Sequence, residues 1–229
     1  MAPNIPAEIL IVLDKIFDET KPISIFLYGS QSRGDITPNS DFEFGVIYSS
    51  ETKVSRLELA KYHDIKNLEL YPFVLEDLKS LNIDTPFPKA IYIKNIIENS
   101  ITIKGDDVLK IISPPTITKI DLIEQINFSL GRAFSAVLSH RNGDEITCAE
   151  NFTKSVFHGF MTLIFLRQNI LNPSYIDITE KSKTLEIKSE FTELLEHANQ
   201  VRNNNVFIEP AKLYKNISFL NFVRSEILK

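Results

Sequence analysis

A chain of 229 residues with 43% apolar and 24% charged residues is too apolar for disorder and too charged for a membrane bundle, and its length suits one large domain or two small ones. No apolar run approaches the ~18 residues needed to span a bilayer, and the single cysteine, Cys148, excludes an internal disulfide and a thiolate metal cluster. A net charge of -5 lacks the electrostatic footprint of a protein that grips nucleic acid by its phosphates, so neither nucleic acid nor membrane is an expected partner.

Met1 to Ala7 carries Pro3 and Pro6 and no basic residue, unlike a secretory leader, and a cytoplasmic location is expected. Pro6 suits a first helical position, and Ile9, Val12, Leu13, Ile16 and Phe17 keep the rhythm of an amphipathic helix. Ile23 to Tyr28 is a short apolar run ending at Gly29 and reads as a buried strand. Phe42 to Tyr48 alternates, with Phe42, Phe44 and Val46 on one side and Asp41, Glu43 and Gly45 on the other. Leu68 to Phe73 and Ile101 to Lys104 are further strands, and Lys89 to Glu98 is helical.

At Ser113-Pro114-Pro115 the composition changes. Nine of the 11 prolines lie at or before Pro115, and the tripeptide reads as a stiff linker. Before it stand 12 Lys+Arg against 17 Asp+Glu, and after it 13 of each, so the whole net charge belongs to the first half. The expected organisation is an α+β chain: a small mixed-sheet domain over 1–115, then an all-α bundle over 116–229. In the second half Thr118 with Asp121 caps a helix to about His140, and Thr147 with Glu150 matches a capping box opening a helix through Leu166. Leu185 to Val201 and Ala211 to Leu228 complete four helices, broken at Gly143, Asn172-Pro173 and Glu209-Pro210.

Only seven glycines occur in the chain, yet two fall within Leu27-Tyr28-Gly29-Ser30-Gln31-Ser32-Arg33-Gly34-Asp35. A strand that ends in Gly-Ser and turns into a short helical segment exposes backbone N–H groups, and the Ser30 hydroxyl and Arg33 guanidinium complete a phosphate site. Shortly after, Ser40-Asp41-Phe42-Glu43 sets two carboxylates two residues apart on one strand face, where they can share a cation. Hard oxygens in that number suit Mg²⁺, which takes one or two carboxylates plus substrate phosphate oxygens.

Leu27-Tyr28-Gly29-Ser30, Arg33-Gly34 and Ser40-Asp41-Phe42-Glu43-Phe44-Gly45-Val46 together resemble the signature of the nucleotidyltransferase superfamily related to DNA polymerase beta. The second metal carboxylate is Glu43, where Asp is commoner in that family. By order and strand context, Glu69 in Leu68-Glu69-Leu70-Tyr71-Pro72-Phe73 resembles the family's third carboxylate. A sheet domain joined to a helical bundle is most similar to the bacterial aminoglycoside nucleotidyltransferases, whose late strand followed by Gly resembles Ile101 to Gly105. The resemblance implies that Asp41, Glu43 and Glu69 are the catalytic and metal-binding carboxylates, Glu69 being either a metal ligand or the general base. It implies that Gly29, Ser30 and Arg33 bind the triphosphate, that Mg²⁺ and ATP are required, and that AMP passes to a hydroxyl of a small polar acceptor bound with help from the helical domain. A homodimer is compatible with the resemblance and is not decided by composition.

Two other functions fit the same residues: AMP transfer to a partner protein, and a module that binds nucleotide without catalysis. Elsewhere packing explains the residues. Glu150 serves the Thr147 capping box, and His63, His140, His158 and His197 lack metal-ligand spacing. Phe157, Phe160, Met161, Ile164 and Phe165 follow helical spacing as core.

Overall fold

The apolar runs of the first half pair into one sheet, and the periodic segments pack on its two faces. In the computed structural model, which describes residues 4–36, 40–62, 64–171, 173–204 and 207–229, the chain divides into two units, 1–116 and 117–229. The first runs α1 (Ala7–Thr20), β1 (Ser24–Tyr28), α2 (Ser30–Arg33), β2 (Phe42–Tyr48), α3 (Arg56–Leu59), β3 (Leu68–Val74), α4 (Leu75–Ser80), α5 (Lys89–Asn99) and β4 (Ile101–Gly105). Single 3-10 turns occupy Ala60–Tyr62 and Val108–Ile111.

The strand order is β3-β2-β1-β4. β1 is antiparallel to both neighbours, whereas β2 and β3 run parallel. A parallel pair needs a long crossover, supplied here by the segment carrying α3. The alternation of the strands sorts the core into two layers. Ile25, Leu27, Phe44, Val46, Leu68 and Leu70 pack with Ile9, Leu13 and Ile16 of α1 and with Leu59 of α3. Each such aliphatic side chain contributes about 1.5–3 kcal/mol on burial. Phe26, Tyr28, Ile47 and Phe73 face the opposite way, onto Leu78 of α4 and Ile93 and Ile96 of α5.

Gly45 is closely packed within this second layer. A Cβ added there would lie 2.0–2.6 Å from three carbons of the Phe26 ring, which is fully buried. Gly45→Ala is therefore expected to cost about 2 kcal/mol through overpacking, read from urea unfolding; an unchanged midpoint would show that the ring has room to move.

The second unit consists of α6 (Lys119–Arg141), α7 (Glu145–Gln168), α8 (Tyr175–Ser182), α9 (Ser189–Asn204) and α10 (Pro210–Leu228). α6 opens as its sequence requires, with the Thr118 hydroxyl accepting from the Asp121 N–H and the Asp121 carboxylate accepting from the Thr118 N–H at 2.7 Å. α7 is the spine: Phe152, Val156, Phe157, Phe160, Leu163 and Ile164 are fully buried, while Met161 and Phe165 are half-buried. Phe160 stacks on Phe219 of α10 at 4.4 Å. In the same seam the Asn216 amide donates to the Ser155 hydroxyl at 2.6 Å.

Several expectations are corrected. Pro6 is the N-cap of α1, which begins at Ala7. α7 starts a few residues earlier than the Thr147–Glu150 pattern implies, because Asp144 is the cap and accepts from the Thr147 N–H at 3.0 Å. Glu150 thus has no capping duty and pairs with Lys154 one turn on. α9 begins at Ser189 rather than Leu185, and α8 makes a fifth helix among the described residues. Asn172 and His63 lie outside the described residues. Among those residues no helix is long and apolar enough to cross a membrane.

Candidate active site

Gly29 ends β1 with φ 75° and ψ -148°, a backbone region essentially restricted to glycine. The turn leads directly into α2, and the Ser32 hydroxyl ties it by donating to the Gly29 carbonyl at 3.0 Å. Ser30 and Ser32 are half-buried.

Sheet register gathers the carboxylates. Tyr28 of β1 is opposite Glu43 of β2, and Glu43 is opposite Glu69 of β3. Paired residues on neighbouring strands share a face, and adjacent strands lie about 4.8 Å apart, so Glu43 stands between Tyr28 and Glu69 beside the Gly29 turn. The approach is close enough that a Cβ on Gly29 would fall 1.9 Å from Oε2 of Glu43. Asp41 lies just ahead of β2 and is exposed; the ladder takes over at Phe42, whose N–H donates to the Asn67 carbonyl at 2.8 Å. Asp41, Glu43 and Glu69 do not form a closed cage: among the described residues no three His, Cys, Asp or Glu side chains converge as a metal site.

Arg33 is tied down from the side of the turn. Its Nε donates to Oδ2 of Asp35 at 3.1 Å, and the two side chains are only 14% and 1% exposed. A guanidinium held this way keeps one orientation next to the Gly-Ser turn.

An aromatic wall borders the carboxylates. The Tyr92 hydroxyl of α5 donates to the Tyr28 hydroxyl at 3.3 Å, and the Tyr28 and Tyr71 rings meet edge-on at 6.1 Å. Burial pushes the Tyr92 phenol up to about 12, with the Glu43 charge adding to the rise. Burial likewise pushes Tyr28 well above the ordinary tyrosine range, with Tyr92 and Glu43 adding to the rise. These phenols therefore stay neutral beside Glu43 throughout the physiological range.

One residue beside the site was not found in the sequence. Arg56, the first residue of α3, brings Nη2 to 3.6 Å from Oε2 of Glu69 and its Cζ to 4.6 Å from the Tyr71 ring centre. The signal that could have found it is Ser55 followed three residues later by Glu58, a capping box that the structure forms.

The mixed sheet thus sets a Gly-Ser turn against one strand carboxylate, with a second carboxylate in register. Residues 10–104 match the family model of the nucleotidyltransferase domain. The first unit thus carries a nucleotidyltransferase domain. Among solved structures it is similar to spectinomycin adenyltransferase AAD(9) from Enterococcus faecialis, solved with ATP and spectinomycin, at 12% identity with 97% of each chain covered and a TM-score of 0.61. That likeness extends the common fold, sheet domain followed by helices, over both units. A nucleotidyltransferase-like protein from Exiguobacterium sibiricum aligns with 95% of this chain and 74% of its own at 11% identity, with a TM-score of 0.36. A search of curated protein sequences finds no match.

Proposed function

We propose that the protein transfers AMP from ATP, with Mg²⁺, to a hydroxyl of a small polar acceptor of the aminoglycoside kind and releases pyrophosphate. The observation that carries this reading is the closure of the Gly29 turn on Glu43, which sets a phosphate-cradling backbone against a carboxylate able to hold the cation. Asp41 and Glu43 fit Mg²⁺ in donor chemistry, since that ion takes one or two carboxylates and completes its shell with substrate oxygens and water. When bound, the ion neutralises triphosphate charge and orients in-line attack.

The protein's own groups do the remainder. The Gly29 and Ser30 backbone and the Ser30 hydroxyl bind the β- and γ-phosphates, and Arg33, aimed by Asp35, stabilises charge on the departing pyrophosphate. The acceptor oxygen bonds to the α-phosphorus as the bond to the bridging oxygen breaks, and the hydroxyl proton passes to Glu69. The acidity of the first half draws a polycationic acceptor. AAD(9), solved with ATP and spectinomycin, supports both the donor and the acceptor class.

Incubating the protein with ATP, Mg²⁺ and a panel of aminoglycosides that includes spectinomycin is expected to release pyrophosphate with at least one of them. No release with any, together with labelled AMP appearing on protein in a cell lysate, would replace the small acceptor by a protein one.

A further inference from the structure

We propose that Arg56 is a positioning residue: its guanidinium holds Glu69 as its own partner and keeps that carboxylate out of the shell of the cation held by Glu43. The inference rests on the reading of Glu43 as a metal-holding carboxylate.

The geometry comes from both sides of the sheet rim. Leu59 anchors α3 in the core beneath β3, with Leu68 and Leu70, whereas Glu69 points the opposite way. β3 is an edge strand, so a side chain rooted at the start of α3 can pass its rim. Arg56 does so, reaching Glu69 and Tyr71, which lie two residues apart and therefore on one face. Its root is fixed, because the Ser55 N–H donates to the Glu58 carboxylate at 2.7 Å while the Ser55 hydroxyl accepts from the Glu58 N–H. The Tyr71 ring then limits the guanidinium to one side, as a cation over an aromatic face is attracted to it.

Stability does not account for the arrangement. The pair is a single contact with side chains 64% and 38% exposed, and such pairs add little to folding. Its effect falls on the neighbouring charge. Glu43 and Glu69 are register partners, and without a counter-ion a divalent cation at Glu43 would draw both carboxylates in. A guanidinium already on Glu69 opposes this by occupying the carboxylate. Glu69 is thereby left as a separate group to face the acceptor.

The test is a titration with Mn²⁺ alone, followed by electron paramagnetic resonance, on the full chain. Glu43→Gln should weaken Mn²⁺ binding about tenfold or more. Arg56→Ala should tighten it about 3- to 5-fold, the range an exposed ion pair allows, and Arg56→Lys should stay near wild type. In a Glu69→Gln background Arg56→Ala should have no effect. Equal tightening in that background would reduce Arg56 to a distant charge and overturn the proposal, as would unchanged or weaker binding in Arg56→Ala. If Glu43→Gln binds Mn²⁺ like wild type, the metal reading itself fails and takes the proposal with it.

Discussion

Glu43→Gln is expected to lower pyrophosphate release from ATP about 10³-fold while leaving the thermal midpoint within a few degrees of wild type. Losing one group that stabilises developing charge typically costs 10²–10³ in rate, and this group also carries the cation. The amide keeps the shape of the carboxylate, so the packing against Gly29 is preserved and only charge is lost. Asp41→Asn should behave alike and spare the fold even more, because Asp41 is exposed. The measurement is initial pyrophosphate release with whichever aminoglycoside supports turnover. Wild-type rates in either variant would remove the metal assignment; a large fall in thermal midpoint would instead mark Glu43 as structural.

The other large effect is expected at Gly29. Alanine there must adopt φ 75° with ψ -148°, a strain of about 1–3 kcal/mol. Its Cβ would also lie 1.9 Å from Oε2 of Glu43, the far end of a flexible side chain, so the contact is relieved by turning that carboxylate aside. Urea unfolding of Gly29→Ala should lose roughly 1–3 kcal/mol, and transfer should vanish because Glu43 yields by leaving its place. Gly34→Ala is the internal comparison: φ is 77° there, but nothing lies within 4 Å of the added carbon, so only the left-handed penalty of about 1–2 kcal/mol applies. A much larger loss at Gly29 than at Gly34 would mean that the Glu43 side chain cannot turn aside.

Much of the candidate site's placement was legible in the sequence because its residues lie on short, strongly patterned segments. The apolar run before Gly29 and the alternation through Glu43 and Gly45 each signal a strand whatever surrounds them. Glu69 was readable only by its order in the chain, since nothing local states that β3 pairs in parallel with β2 and so sets Glu69 opposite Glu43. Arg56 escaped because α3 is four residues long, too short for any periodicity, and its partners are 13 and 15 positions away. In the second unit α8 was missed for a similar reason: its buried residues are Ile178 and Ser182 alone, a single helical repeat with one apolar member. Thr147 was mistaken for a cap because Asp144, three residues earlier, offers the same chemistry.

Pro72 lies in the middle of β3, opposite Val46. Having no N–H, it cannot complete a ladder to a further strand, and it stands on the outermost strand of the sheet. The sheet is therefore interrupted as a template on the side that carries Glu69. A second copy of this chain pairing along β3 would find its ladder broken at Pro72, which makes that border a poor seam between copies.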